Sequence, residues 1–127
     1  MTAVLVKIGM VSIAVGAVSG YALALVVEHS PIFKRIGIRH PARIRQVHLD
    51  WIIMGTVLVT TGLAAPNLPA WVVVLVALGG IVNPLLFIPL AFRASAQQNL
   101  AYRVASGISF TALSTGLVST AIIVCSR

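Results

Sequence analysis

Acidic side chains are almost absent from this chain. Only Glu28 and Asp50 among its 127 residues are acidic, and charged residues of both signs make up 9%. Soluble domains carry about 25% charged residues, so the composition excludes a separate soluble domain. Cys125 is the single cysteine, which excludes an intramolecular disulfide. The sequence also offers no carboxylate pair, Cys-x-x-Cys motif, phosphate-binding loop or Ser-His-Asp set.

Apolar residues dominate instead, at 59% of the chain with a mean hydropathy of +1.06. A helix needs about 20 apolar residues to cross a bilayer, and four segments reach that length. We therefore predict an all-α integral membrane protein, a single domain over 1–127 forming a four-transmembrane-helix bundle. The predicted helices cover residues 2–27, 46–65, 71–92 and 100–125.

The first segment has two features that bear on its role. Lys7 before the apolar run and Ala22-Leu23-Ala24 resemble a signal peptide with its cleavage site, but the length of the run favours a retained helix. Small residues also recur near one face of this helix, where they would allow a neighbouring helix to approach closely. They are Gly9, Ser12, Gly16 and Gly20.

The formal charge of +7 is concentrated in two loops. In a membrane protein such cations follow the positive-inside rule and contact anionic head groups, so nucleic acid is not an expected partner. The turn 66–69 carries no cation. We expect an inner or plasma membrane protein with both termini outside and basic loops 30–47 and 93–103 cytoplasmic. The loop cations are Lys34, Arg35, Arg39, Arg43, Arg45, Arg93 and Arg103.

Two polar residues within apolar segments are candidates for a functional site. His48 opens the second segment and could ligate haem iron, with Arg43 and Arg45 pairing with the haem propionates; alternatively it is an interfacial histidine bonded to water or head groups. A single histidine does not make a tetrahedral zinc site. Asp50 should point away from His48, and either pair with a loop arginine or favour the helix N-terminus.

Asn83 lies midway along the third segment and directly precedes Pro84. Its amide could bind a ligand or bond across to another helix. Pro84 and Pro89 should kink this helix and free backbone carbonyls, a frequent local feature where a helix lines a site.

These residues together carry a resemblance to a known family. The stretch His48-Leu49-Asp50, with Gly55 seven residues after the histidine, a proline-containing turn and then Asn83, resembles the small four-helix membrane isomerases, namely styrene oxide isomerase and the hydroxylaminobenzene mutases. The resemblance implies a trimeric haem b enzyme with His48 as axial iron ligand and Asn83 as the catalytic asparagine. It implies a Lewis-acid rearrangement of a small apolar epoxide or arylhydroxylamine.

Two positions depart from the family pattern. Met54 stands where the family has an asparagine, and Phe87 stands where the epoxide isomerase has a tyrosine. We expect both to line an apolar substrate pocket, although their substitution weakens the case for the same reaction. It favours an alternative, a non-catalytic small subunit of a larger membrane complex, with or without haem. A small transporter is a third hypothesis, which the proline-rich third helix and Asn83 permit.

Overall fold

The computed structural model describes residues 1–28 and 31–126, and His29, Ser30 and Arg127 lie outside this description. The described residues contain five α-helices and no strand. Helices α1, α3, α4 and α5 are long and apolar enough to cross a membrane, which confirms the predicted all-α four-helix class. The helices are α1 (Ala3–Val27), α2 (Ile32–Arg35), α3 (Ala42–Ala64), α4 (Ala70–Phe92) and α5 (Leu100–Cys125), with a 3₁₀ helix (Ala94–Gln98) before α5.

The four long helices pack in chain order. Helix α3 packs against α1 and α4, α5 packs against α4, and α1 has few contacts with α4. The Thr2 hydroxyl donates to the Pro66 carbonyl at 2.8 Å, which places the N-terminus at the α3–α4 turn. Gly79 lies against Leu113, while Asn83 bonds Ser109, so α5 runs antiparallel to α4. Both ends of the described chain therefore lie at the turn end, and the two basic loops lie at the opposite end.

The α1–α3 contact depends on glycine. Gly9 and Gly16 of α1 and Gly55 and Gly62 of α3 are all buried. A Cβ added to Gly9 would lie 2.6 Å from the Gly55 carbonyl oxygen, and one added to Gly55 would lie 2.8 Å from the Gly9 carbonyl oxygen. The two backbones therefore touch, as small faces on membrane helices allow, and the small-residue face predicted for the first segment is confirmed.

The first basic loop is more ordered than its proline and glycine content predicts. Helix α2 ends in a Schellman motif, in which Ile38 N–H donates to Phe33 O at 2.9 Å and Gly37 N–H donates to Lys34 O at 3.3 Å. Gly37 adopts a φ of +82°, which favours glycine. Phe33 and Ile38 are buried together with Ala91 of α4, so this loop packs against the basic end of the bundle.

Two helix details differ from or extend the prediction. Helix α3 begins at Ala42 rather than near Gln46, because Pro41 precedes it and proline suits a helix start, where its missing N–H has no partner to lose. Helix α4 continues through both Pro84 and Pro89 to Phe92. The kink expected at these prolines stays a prediction.

The main core lies at the turn end. Leu5, Leu58, Val72 and Val76 are fully buried there at 0% exposure. Nearer the basic end, the side chains of α3, α4 and α5 leave a cavity of about 360 Å³ between the helices. The histidine and asparagine highlighted by the sequence lie at this level of the bundle.

Candidate functional site

His48 is held against α1 by its Nδ1 atom. That nitrogen lies 2.8 Å from the Gly16 carbonyl oxygen and 3.1 Å from the Ser19 hydroxyl oxygen. The carbonyl can only accept, so Nδ1 carries the proton and donates it. The Ser19 hydroxyl also donates to Gly16 O, at 2.6 Å. This tautomer leaves the lone pair on Nε2, and no described residue hydrogen-bonds to that atom.

The small residues of α1 make room for this ring. A Cβ added to Gly20 would lie 3.4 Å from His48 Cε1, which is ordinary contact. Gly16, in contrast, lies so close to α3 that an added Cβ would meet Ile52 Cγ1 at 2.6 Å. The α1 backbone therefore approaches α3 closely enough to accept from the imidazole directly.

The described side chains do not form a site for a bare metal ion. Within residues 1–28 and 31–126, no group of three or more His, Cys, Asp or Glu residues could hold an ion. A site built only from protein ligands needs about four donors for zinc. Haem iron takes four ligands from the porphyrin and one or two from the protein, so a single histidine could be enough for haem but not for a bare ion.

The two arginines expected beside His48 lie on different faces of α3. Arg45 lies three residues before His48, about 60° from it, while Arg43 lies five residues before it, about 140° away. Arg45 is exposed. Arg43 is half-buried, donates from Nη1 to Gln46 Oε1 at 2.6 Å, and lines the cavity between α3, α4 and α5. Of the two, Arg45 remains on the His48 side.

Asn83 is buried and bonds across the bundle. Its Oδ1 accepts from the Ser109 hydroxyl of α5 at 2.6 Å, which is the cross-helix bond left open by the sequence. The acceptor is thus occupied, and the two amide N–H donors have no partner among the described residues. Asn83 also lines the 360 Å³ cavity together with Met54 and Phe87.

The structure therefore groups four of the predicted site residues and leaves out two. Arg43, Met54, Asn83 and Phe87 line one cavity. His48 faces α1 on the other side of α3, as its bond to Gly16 shows, and Arg45 does not line the cavity. Within one chain, helix α3 separates the imidazole from the predicted substrate pocket.

Asp50 belongs to the cavity, and sequence reasoning missed this. Its direction away from His48 is confirmed, since Asp50 lines the cavity. It lies beyond the first turn of α3, which has no acidic residue, and it forms no ion pair among the described residues. Its Oδ2 is buried without a hydrogen-bond partner. The available signal was helical spacing, because Asp50 lies four residues before Met54 and seven after Arg43, all on one helix face.

Comparisons with protein-family models, with curated proteins and with solved structures return no match.

Proposed function

We propose that this integral membrane protein is a haem b-dependent isomerase. In this proposal His48 would hold the haem iron, and the substrate is a small apolar molecule such as an epoxide or an arylhydroxylamine. The observation that carries the proposal is the bond from His48 Nδ1–H to Gly16 O at 2.8 Å. Histidines that bind metals generally donate their second ring N–H to a carbonyl or carboxylate, which fixes the ring and leaves the other nitrogen as ligand.

The chain has a distinct task at each position of the proposed site. Gly16 orients the imidazole by accepting from its Nδ1–H, and Arg45, on the same side of α3, would be the cation for a propionate. When bound, haem iron would supply Lewis-acid stabilisation of charge at the substrate oxygen, in a rearrangement without net redox change. The amide donors of Asn83 would orient a polar atom of the substrate, while Met54 and Phe87 exclude water around it.

A homo-oligomer is part of this proposal, with the trimer implied by the family resemblance. His48 and the cavity lie on opposite faces of α3 within one chain. A haem held on the His48 face could adjoin a substrate cavity only if that cavity belonged to a second copy of the chain. The exposed apolar side chains of α1 and α5 are compatible with either lipid or such a copy.

We also propose an orientation in the membrane. The two basic loops lie at one end of the bundle, and the cation-free turn lies at the other. The positive-inside rule assigns the basic end to the cytoplasm and both termini to the outside of an inner or plasma membrane.

A turnover assay tests the isomerase. The purified wild-type protein, supplied with haem, is incubated with styrene oxide and with phenylhydroxylamine, and the products are separated by chromatography. We expect rearranged product from the wild type and from His40→Ala, an exposed loop control, but none above free haem from His48→Ala. The isomerase proposal is rejected if haem-loaded wild type converts none of the epoxides and arylhydroxylamines that are tested.

A second candidate is a non-catalytic small subunit of a larger membrane complex, with or without haem. The separation of His48 from the cavity favours it, as does the apolar character of Met54 and Phe87. Affinity purification from native membranes distinguishes the two functions. A fixed partner protein at constant stoichiometry would support the subunit, and a homo-oligomer with turnover would support the isomerase.

A further inference from the structure

The cavity between α3, α4 and α5 contains one feature that the proposed isomerase does not use. Asp50 lines it, and the buried Oδ2 of this carboxylate has no hydrogen-bond partner. Burying a carboxylate oxygen without a partner costs several kcal/mol in general. An ionisable residue within a membrane helix therefore indicates a functional site, where a partner should compensate its charge.

The described protein does not supply this partner. Arg43 lines the same cavity, but its Nη1 donates to Gln46 Oε1 at 2.6 Å along α3. The other polar residues that line the cavity do not donate to Oδ2 either; they are Asn83, Gln97, Ser106 and Tyr102. An inorganic cation such as Ca²⁺ needs about six oxygen ligands, and no second carboxylate lines the cavity.

The rest of the cavity wall favours an organic partner. Beside these polar residues, the cavity wall is apolar and aromatic, with Met54, Phe87, Phe110 and Leu113 among its lining residues. Aromatic faces attract organic cations and also accept a hydrocarbon body. The volume of about 360 Å³ lies within the roughly 300–1,000 Å³ typical of small-molecule sites, which suits one ring with a short chain.

We propose that this cavity binds a small lipophilic amine in its ammonium form, with the nitrogen donating to the Asp50 carboxylate. The apolar body of the ligand extends along α3 towards Met54, about 6 Å further from the basic end, and packs against Phe87 and Phe110. Arg43 lies at the basic end of the same cavity, about 10 Å from Asp50 along the helix. Its positive charge repels the ammonium group of the ligand. This site uses the α3 face opposite His48, so the proposal does not rest on haem binding.

Three probes of one shape and different charge test the site. The probes are 2-phenylethylamine, which is cationic at neutral pH, neutral 2-phenylethanol and anionic 3-phenylpropionate. Binding to the full-length protein in zwitterionic nanodiscs is measured by calorimetry, with empty nanodiscs subtracted. We expect the cation to bind about tenfold or more tightly than the alcohol, because a charge-assisted bond forms only with the amine.

Three variants, at Asp50 and Arg43, complete the test. Asp50→Asn keeps the shape and removes the charge, so the preference for the cation should fall to about twofold or less. Asp50→Glu keeps the charge and should retain the preference for the cation. A loss of preference in Asp50→Asn alone would then be due to the lost charge. Arg43→Gln removes the opposing cation and should tighten amine binding by about two- to threefold.

Three results would overturn the proposal. One is equal affinity for the amine and the alcohol, or no amine binding at millimolar concentration. Another is preference for 3-phenylpropionate, which would make Arg43 the dominant charge. The third is weaker amine binding in Arg43→Gln accompanied by loss of stability, which would identify Arg43 as the resident partner of Asp50.

Discussion

The polar side chains within the long helices are mostly satisfied by the protein itself. His48 donates to a carbonyl of α1, Asn83 accepts from Ser109, and Thr120 donates to Gly116 O in its own helix. Such internal partners are expected where no water is available. Asp50 Oδ2 is the exception among the described buried side-chain nitrogen and oxygen atoms, and the same residue lines the cavity for which we propose a ligand.

Removal of the Ser109 hydroxyl tests the Asn83 bond. Ser109→Ala deletes the donor at 2.6 Å from a buried acceptor, so we expect the free energy of unfolding to fall by about 1 kcal/mol. The measurement is an SDS titration in mixed micelles followed by circular dichroism. Ser114→Ala, at an exposed position of α5, is the matched control and should change stability little. Equal effects of the two substitutions would contradict the assignment.

The sequence indicated candidate residues one by one but did not predict which of them lie together. His48 and Asn83 stand out because each is polar within an apolar run. The partner of His48 was not predictable, because it depends on the antiparallel register that brings Gly16 opposite α3. The placement of Asp50 was missed for a related reason. Helical spacing shows which face of α3 carries Asp50, whereas the cavity that Asp50 lines depends on the packing of three helices.

The close contacts between the long helices depend on glycine rather than on large side chains. Gly9 and Gly55 bring α1 and α3 together, and Gly79 and Gly116 do the same for α4 and α5, where added Cβ atoms would meet Leu113 and Val76 at 2.5 and 2.6 Å. The four long helices were predictable from hydropathy. The early start of α3 and the presence of α2 were not, because proline and glycine within a basic loop also predict irregular structure.

A pair of glycine substitutions tests this account of helix packing. Gly55→Ala would place a Cβ 2.7 Å from Ile13 Cγ1 and 2.8 Å from Gly9 O, so we expect a loss of about 1–3 kcal/mol in the free energy of unfolding. Gly107 has nothing within 4 Å of an added Cβ. Gly107→Ala should therefore leave stability unchanged or raise it by up to about 1 kcal/mol. The account fails if Gly55→Ala is the better tolerated of the two in the same SDS titration.

The whole molecule is a row of four helices with two exposed sides. Helix α4 contains the most buried residues, while α1 and α5 present many large apolar side chains outward. In a bilayer these faces meet lipid or another chain. The molecule is also polarised along its length, with its loop cations at one end and both termini at the other, and this polarity determines the proposed orientation.

The single cysteine provides a test of that orientation. Cys125 is exposed at the end of α5, so a membrane-impermeant maleimide should label it in intact cells. For comparison, Ser95→Cys in a Cys125→Ser background places the thiol at an exposed position of the second basic loop. This variant should react only after permeabilisation. The reverse pattern would place the basic loops outside and contradict the positive-inside assignment.

Haem ligation by His48 is the central claim, and an absorption spectrum tests it most directly. The spectrum is recorded on detergent-purified wild type, His48→Ala and His40→Ala, each supplied with haem and then freed of excess. We predict a strong Soret band in the wild type and in His40→Ala that is lost in His48→Ala. A wild-type protein without a Soret band, or a band that survives unchanged in His48→Ala, would contradict the account.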